Sequence, residues 1–371
     1  MFGGKRKKKE QKDESYFLAS QWKLMGRKLK KHKLAKISML VLGILYGIAI
    51  FGNFIAPSDL KSYNEKATNM PPTAIHFFHD GEFVGPFVYG TKMERNKETY
   101  KKEYTENTEE IYKIKFLVKG VPYKMLGFIE SDIHLFGTEE EGKMYLFGTD
   151  SMGRDLLSRI ILGSQVSLTV PLVSTAISFV LGILLGSISG FFGGPVDSVI
   201  QRIIEVLTAL PTIPLWMALA AAIPPDISVE KVYLYITVII SFISWTGLAR
   251  VVRGRFMSMR NEDYIMAARL AGVSNMKIIV KHMVPGFMSY LIVNLTLGIP
   301  SMIISETSMS YLGLGMRAPA TSWGVLLQEA QEITSIASYP WKLIPLIMVI
   351  ITVLAFNFLG DGLRDAADPY K

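Results

Sequence analysis

The chain has 371 residues, half of them hydrophobic, and carries a formal net charge of +8. It has no cysteine, which excludes disulfides, thiol catalysis and thiolate metal sites. Its apolar residues gather in six nearly uncharged runs, which excludes an ordinary soluble domain, because too few amphipathic partners remain to wrap them.

Residues 1–36 form a basic tail, with "KRKKK" at Lys5–Lys9 and "RKLKKHK" at Arg27–Lys33. The first apolar run follows at 37–56. No small-residue cleavage pattern comes after it, so it reads as a retained anchor and not a removed signal peptide. The tail lacks interleaved aromatic residues and abuts this run. Its lysines therefore read as a topological signal and a contact for anionic membrane lipid, with no nucleic-acid partner expected. Five further spans are expected at about 166–192, 203–225, 232–249, 286–310 and 343–360. Each is near the ~20 residues that a helix needs to cross the hydrocarbon layer. A backbone in lipid must satisfy its own hydrogen bonds, so each reads as an α-helix. The expected fold class is an all-α polytopic membrane protein with six transmembrane helices.

Between the first two spans, residues 57–147 read as a small extracytoplasmic insertion that is rich in β-structure. "YKIKFLVKG" (112–120) and "YKMLGFIE" (123–130) have strand-like content, and Asp80-Gly81 is a hairpin signal. "HFFHD" (76–80) offers His76, His79 and Asp80, but three candidate ligands from one run lack a fourth, so no metal site is assigned and the run reads as strand surface. Residues 148–371 form the core. It begins with "FGTDSMGRDLLSRIILG" (147–163), where Asp150 is placed to cap a helix lying at the membrane surface. In the third span, Pro211 and Pro214 must kink or interrupt the helix. Glu205 and Glu306 lie beside or within apolar runs, and such carboxylates face a bundle interior as a rule. With no histidine in any span, structural hydrogen bonding is the expected role for them.

The connection after span four carries Arg250, Arg253, Arg255, Arg260, Arg269, Lys277 and Lys281 against only Glu262 and Asp263. Excess positive charge marks the cytoplasmic side, so this connection, the N-terminus and the C-terminus are expected there. Within it, Asn261 is a candidate N-cap, with Glu262 and Asp263 in the favoured first turn. Gly272 fits the end of this helix, and Ser274 can cap a second one, from Asn275 to Met283, that Pro285 ends. Two short helices over 261–284 are the expectation. Ala267, Ala268 and Gly272 carry little side-chain bulk, which suits close approach of a partner protein, the alternative being an ordinary amphipathic helix lying on lipid. On the opposite side, Gly313, Gly315, Pro319 and Gly324 predict a bent surface loop between the last two spans. Trp323 belongs either to a gate or to an interfacial turn.

The stretch Ala267-Ala268, Gly272 and His282-Met283-Val284-Pro285 resembles the EAA motif of bacterial ABC-importer permeases, with Met266 where that family carries its leading Glu. Three further stretches, 147–163, "YLGLGMRAPATSWGVLL" (311–327) and "FLGDGLRDAADPYK" (358–371), are similar to the oligopeptide and dipeptide (OppC/DppC-like) branch. This resemblance implies a type I ABC-importer permease fold in the bacterial cytoplasmic membrane, and a transport subunit without enzyme activity of its own. Its implied partners are a second homologous permease, two ATPase subunits that hold ATP and Mg, and an extracytoplasmic substrate-binding protein. The implied cargo is peptide, or a relative's cargo such as nickel or glutathione. The ATPase contact would involve Asp263, Tyr264, Met266, Ala267, Ala268, Leu270, Gly272, His282 and Pro285. Candidates for pathway or gate are Pro211, Pro214, Glu306 and Trp323. The chain has no G-x-x-x-x-G-K-[ST] sequence with which to hold ATP itself, and no cofactor is expected on it. An intramembrane protease would need a base near its nucleophile, and no span holds histidine. An ion-coupled transporter would need intramembrane ionisable groups or inverted repeats, and neither is convincing here.

Overall fold

The computed structural model describes residues 21–98, 102–125, 127–138, 144–224, 227–316, 320–331 and 333–368. The Lys5–Lys9 cluster, Pro225, Pro319 and the last residues of the chain lie outside these. In chain order, leaving aside the short helices Gly52–Ile55, Val284–Gly286 and Ile333–Ser338, the helices are α1 (Gln21–Leu29), α2 (Lys33–Ile50), α3 (Leu156–Phe192), α4 (Gly194–Ala209), α5 (Thr212–Ala221), α6 (Val229–Met259), α7 (Asp263–Leu270), α8 (Asn275–Ile278), α9 (Met288–Tyr311), α10 (Trp323–Glu329) and α11 (Ile344–Ala367). Among the described residues five helical segments are long and apolar enough to cross a membrane: α2, α3, α6, α9, and α11 with its 3-10 lead-in. The sixth is α4 with α5, bent by 91°.

The bent pair is one crossing. Asp197, in the first turn of α4, lies beside Arg253 near the C-terminal end of α6. Ala220, in the last turn of α5, packs in a cluster with Ile223, Val229 and Val232 at the N-terminal end of α6. The chain therefore passes from one end of the bundle to the other despite the bend. The break falls at Leu210-Pro211, where Pro211 has extended backbone and precedes α5, while Pro214 fits the first helical turn. Glu205 faces outward and pairs with Arg202 at 2.8 Å, in contrast to the bundle interior expected for it.

The bundle is built around α3 against α6. Along α3, Ser174, Ser178, Gly182, Gly186 and Gly190 recur every fourth residue and so lie on one face. The Ser174 and Ser178 hydroxyls donate to the carbonyls of Thr237 and Ser241 on α6 at 3.2 and 3.3 Å. A Cβ added at Gly186 would lie 2.5 Å from the Ala249 carbonyl oxygen, and one at Gly190 would lie 2.5 Å from that of Arg253. Lipid tails are as apolar as leucine, so hydrophobicity cannot drive helices together. Close backbone approach through small residues can.

One end of the bundle gathers both termini of the described chain. Lys28 donates to the Asp368 carbonyl at 2.7 Å, and a Cβ on Gly362 would press on Ala35. Ser289, near the start of α9, donates to the Met25 sulfur at 3.5 Å. The opposite end carries the insertion, an antiparallel sheet in the order β1-β2-β3-β4: His76–His79, Glu82–Arg95, Lys102–Met125 and Ile129–Thr138. Strand β3 is 24 residues long and pairs with β2 over 102–113, then with β4 over 114–125. Asp80 and Gly81 both take positive φ, 49° and 86°, and turn β1 into β2 as the Asp-Gly pair predicts.

Two local expectations are corrected. Helix α3 begins at Leu156 and runs unbroken for 37 residues, so 147–163 holds no separate surface helix. Its N-cap is Asp155, which accepts from the Ser158 amide at 2.8 Å. Asp150 is occupied earlier in the chain: its Oδ1 accepts from the amides of Met152 and Arg154 at 2.8 and 3.0 Å, closing a turn before the helix starts.

Substituting Gly186 by Val should lower bundle stability by about 3 kcal/mol, since the new methyls press on fixed backbone and not on a mobile side chain. Gly247→Ala, where nothing lies within 4 Å, should be near neutral. Thermal unfolding of the detergent-solubilised protein would measure both.

Candidate functional site

Arg260 ends α6, and the chain then folds into the short pair α7 and α8 at the end of the bundle that holds both termini. Glu262, not Asn261, occupies the N-cap, and no side chain bonds the first amides. Gly272 follows the last helical turn with φ 74°. Its amide donates to the Arg269 carbonyl at 3.0 Å, and that of Val273 donates to Ala268 at 3.1 Å. This paired bond pattern requires a left-handed residue, which glycine supplies at least strain. Ser274 then stands at the N-cap of α8. The chain continues through a π-helical turn at Ile279–Met283 into a last helical turn containing Pro285.

What holds the pair in place is a row of buried apolar side chains. Ile265, Ile278, Ile279 and Met283 pack with Val252, Phe256 and Met259 of α6, with Phe287 and Leu291, and with Phe191 of α3. The guanidinium of Arg269 lies 4.8 Å from the centre of the Phe191 ring, which adds a cation–π contact to the inner end of α3. The pair is thus fastened to both α3 and α6.

The other face of the pair is open. Leu270 is 89% exposed, and Tyr264, Met266 and Met276 are about half so. Asp263, Ala267, Gly272, His282 and Pro285 are exposed as well, and nothing stands within 4 Å of a Cβ built on Gly272. Ala268 differs: it is half-buried and packs inward on the cluster. Its small size lets α7 sit close to its own support. The open face combines bulky apolar tips with two positions of minimal bulk, Ala267 and Gly272.

A second polar tie stands beside the pair. The Asp197 carboxylate accepts two parallel bonds from Arg253 and one from the Ser189 hydroxyl, linking the start of α4 to α6 and α3. Gly193 and Gly194 take positive φ of 67° and 53° and form the elbow between α3 and α4.

Inside the bundle, Glu306 is fully buried. Its carboxylate accepts from the Ser310 hydroxyl at 2.8 Å and from that of Ser167 at 3.4 Å. Ser167 in turn accepts from the Trp323 amide at 2.9 Å, and the Trp323 indole donates to the Ile160 carbonyl at 3.0 Å. Trp323 has no exposed surface and opens α10, whose Val325, Leu326 and Leu327 are buried too. The described residues of the expected loop, 313–316 and 320–322, are non-helical, but Trp323 and Gly324 open a short helix folded back into the bundle, and the tryptophan is one of its internal pins. The structure brings Glu306 and Trp323 into one knot but leaves Pro211 and Pro214 exposed on α5, apart from it.

At its far end α10 carries Glu329, which closes a charge cluster absent from the sequence reading. Arg159 of α3, only 4% exposed as a side chain, forms two parallel bonds to Glu329 at 2.6 and 2.8 Å and a third to Asp150. Arg154 bonds Asp150 at 2.6 Å and Glu329 at 3.0 Å. Arg154 and Arg159 recur within one quoted motif, which was a usable signal; their partner lies some 170 residues on and was not identifiable without the fold. His76 and His79 sit on β1 against Glu106 and the Tyr89 hydroxyl, at 3.0 and 3.1 Å. Among the described residues no cluster of His, Asp and Glu is arranged to hold a metal ion.

Known proteins point the same way as this geometry. Residues 182–370 match the family model described as binding-protein-dependent transport system inner membrane component. Residues 20–72 match the N-terminal TM domain of oligopeptide transport permease C. The dipeptide transport system permease protein DppC of Bacillus subtilis is 30% identical over 344 residues, covering 92% of this chain and 84% of that protein. DppC of Lactococcus lactis subsp. cremoris is 33% identical over 351 residues, covering 92% and 89%. The oligopeptide transport system permease protein OppC of Escherichia coli K12 is 40% identical over 226 residues, covering 61% of this chain and 72% of that protein.

Removing one partner of a buried ion pair strands the other, at a cost of about 3 kcal/mol. Arg159→Ala should lose stability on that order, and Arg159→Lys should fall between it and the parent, because an ammonium cannot make two parallel bonds to Glu329. Thermal melts of the three proteins in one detergent would rank them.

Proposed function

Since the chain belongs to the family of binding-protein-dependent transport inner membrane components, in its oligopeptide and dipeptide permease branch, we propose that it forms half of a peptide translocation pathway driven by separate ATPase subunits. The single observation that carries the drive mechanism is the open face of α7. Apolar tips on Tyr264, Met266 and Leu270 stand beside the low-profile Ala267 and Gly272, all on a rigid mount. A helix of this kind suits a groove on a partner protein. Asp263, His282 and Pro285 lie exposed at the margins of the same region and complete the contact.

In this reading ATP and Mg sit on two partner ATPases, because this chain lacks a phosphate-binding loop of its own. Closure of the ATPases pushes on α7. The push passes through Ile265, Ile278 and Met283 to α6, and through Phe191 and Arg269 to α3. Coupling of two sites needs an element with two arrangements that each site biases. The α3–α4 elbow at Gly193-Gly194 and the break at Pro211 supply the joints, so α4 and α5 can swing while the α3–α6 pair stays intact.

The exposed apolar side chains of α4 and α5, among them Val199, Ile203, Val206, Ile213 and Met217, would face the second, homologous permease of a heterodimer and the path between them. Pro211 and Pro214 lie on that surface and act there as the gate. Glu306 and Trp323 hold α10 in place and set the shape of the outer mouth. An extracytoplasmic binding protein delivers peptide to that mouth. The basic 249–285 connection supports a bacterial cytoplasmic position for α7 and for the two ends of the chain.

Leu270→Asp should leave folding and membrane insertion unchanged, since the side chain is 89% exposed, while it removes an apolar anchor from the contact. Loss of such an anchor costs at least about 2 kcal/mol, roughly thirty-fold in ATPase affinity. ATP-driven peptide uptake in proteoliposomes, with bound ATPase quantified by co-purification, would test this. Full uptake and full ATPase recovery with Leu270→Asp would remove α7 from the drive train.

A further inference from the structure

The insertion has a feature that transport by itself does not call for. The turn between β3 and β4 carries Phe128, 75% exposed and the most exposed aromatic side chain among the described residues of the insertion, with Ile129 also open beside it. Gly127 takes φ 83° to close this turn, and Lys124 pairs with Glu130 at 3.3 Å just behind it. An exposed apolar tip on a rigid hairpin would be a liability in water.

Its position is fixed by hydrogen bonds to the segment that directly follows the first membrane helix. The Asn53 side-chain amide donates to the Lys124 carbonyl at 3.4 Å, and His134 on β4 donates through Nδ1 to the Ala56 carbonyl at 2.7 Å. Asn53 lies just past Ile50 and Phe51, which are both about half exposed on the outer surface of α2. The same level can be read on α3: a Cβ on Gly52 would lie 3.1 Å from the Gln165 side chain, and the Gln165 amide donates to the Ala49 carbonyl at 3.1 Å. Gln165 directly precedes the apolar run that starts at Val166. It lies ten residues below the Asp155 cap, about 15 Å down the helix. The hairpin therefore hangs alongside the bundle and ends where the hydrocarbon begins.

We propose that the β3–β4 tip is an interfacial membrane anchor, with Phe128 and Ile129 entering the boundary between headgroups and acyl chains and Lys124 reaching back to the lipid phosphates. Aromatic side chains concentrate at that depth, and a lysine stem lies along apolar surface while its charge stays wet. The occupant is lipid, because the tip is tied beside the exposed apolar Ile50 and Phe51 at the end of a helix long and apolar enough to cross a membrane. The anchor holds the insertion at two points, the α2 junction and the bilayer itself.

The absence of cysteine makes the test direct. Ile129→Cys, Phe128→Cys and Met93→Cys would each carry a nitroxide in the full chain reconstituted into phosphatidylcholine–phosphatidylglycerol vesicles. Met93 is exposed and pairs with Tyr104 near the other end of β3. Collisional access to oxygen relative to a polar nickel chelate is expected to be several-fold higher at 128 and 129 than at 93. Equal ratios at all three positions would place the tip in water and overturn the proposal. Labels at 128 and 129 that are immobilised and closed to both reagents would assign the tip to a protein contact and overturn it equally.

Discussion

Close approach of α3 and α6 is the constraint from which most of the architecture follows. Two helices in lipid gain little by hiding apolar surface, so their association depends on backbone contact and on hydrogen bonds between small polar groups. The stripe from Ser174 to Gly190 supplies both, since it lets the Ala249 and Arg253 carbonyls come within van der Waals reach of the facing helix. Once that pair is set, its inner end presents Phe191, Val252, Phe256 and Met259 as a ready platform, and α7 and α8 settle on it through four buried aliphatic side chains. At its outer side, Ser167 and Ile160 on α3 receive Trp323, which directs α10 back into the bundle.

In the proposed mechanism this arrangement separates the parts that would stay rigid from those that would move. The platform under α7 is apolar and closely filled, and it passes displacement on without absorbing it. The elbow at Gly193-Gly194 and the 91° break at Pro211 lie in the neighbouring span, where backbone freedom does not compromise the platform. The Asp197–Arg253 bond stands between the two regimes. It ties the bent span to the α3–α6 pair beside the apolar packing of Ile200 and Ile204 on Trp245 and Ala249, and a charged pair that is partly wet can break and re-form more readily than an apolar contact.

Features fixed by local chemistry were legible in the sequence. Hydrocarbon thickness sets the length of an apolar run, so the spans stood out. Asp80-Gly81 and Gly272 fill backbone conformations that few other residues accept, and each sits at the turn its chemistry demands. Features fixed by tertiary pairing were not. Asp150 and Asp155 are equally good caps by residue type, and the choice between them follows from a turn that consumes the first. Trp323 in a glycine-rich stretch looks like an interfacial residue until Ser167 and Ile160 are found waiting for its two donors. Ala268 reads as part of an open face, yet the helix turns it inward, because Ile265 three residues earlier faces the platform. The glycines at 182, 186 and 190 were readable all along as a repeat of four, and they marked the principal helix contact.

The length of α3 has a mechanical consequence. At 37 residues the helix extends about 55 Å, well beyond the thickness of the oily layer. The helix is held by α6 from Ser174 to Gly190 and by Trp323 and Glu329 towards its other end, so a slight displacement at Phe191 would be carried along a braced rod to Arg159. The arginine and its two carboxylate partners would then be the indicator needle of the subunit, registering at the outer mouth what has been pressed at the inner face.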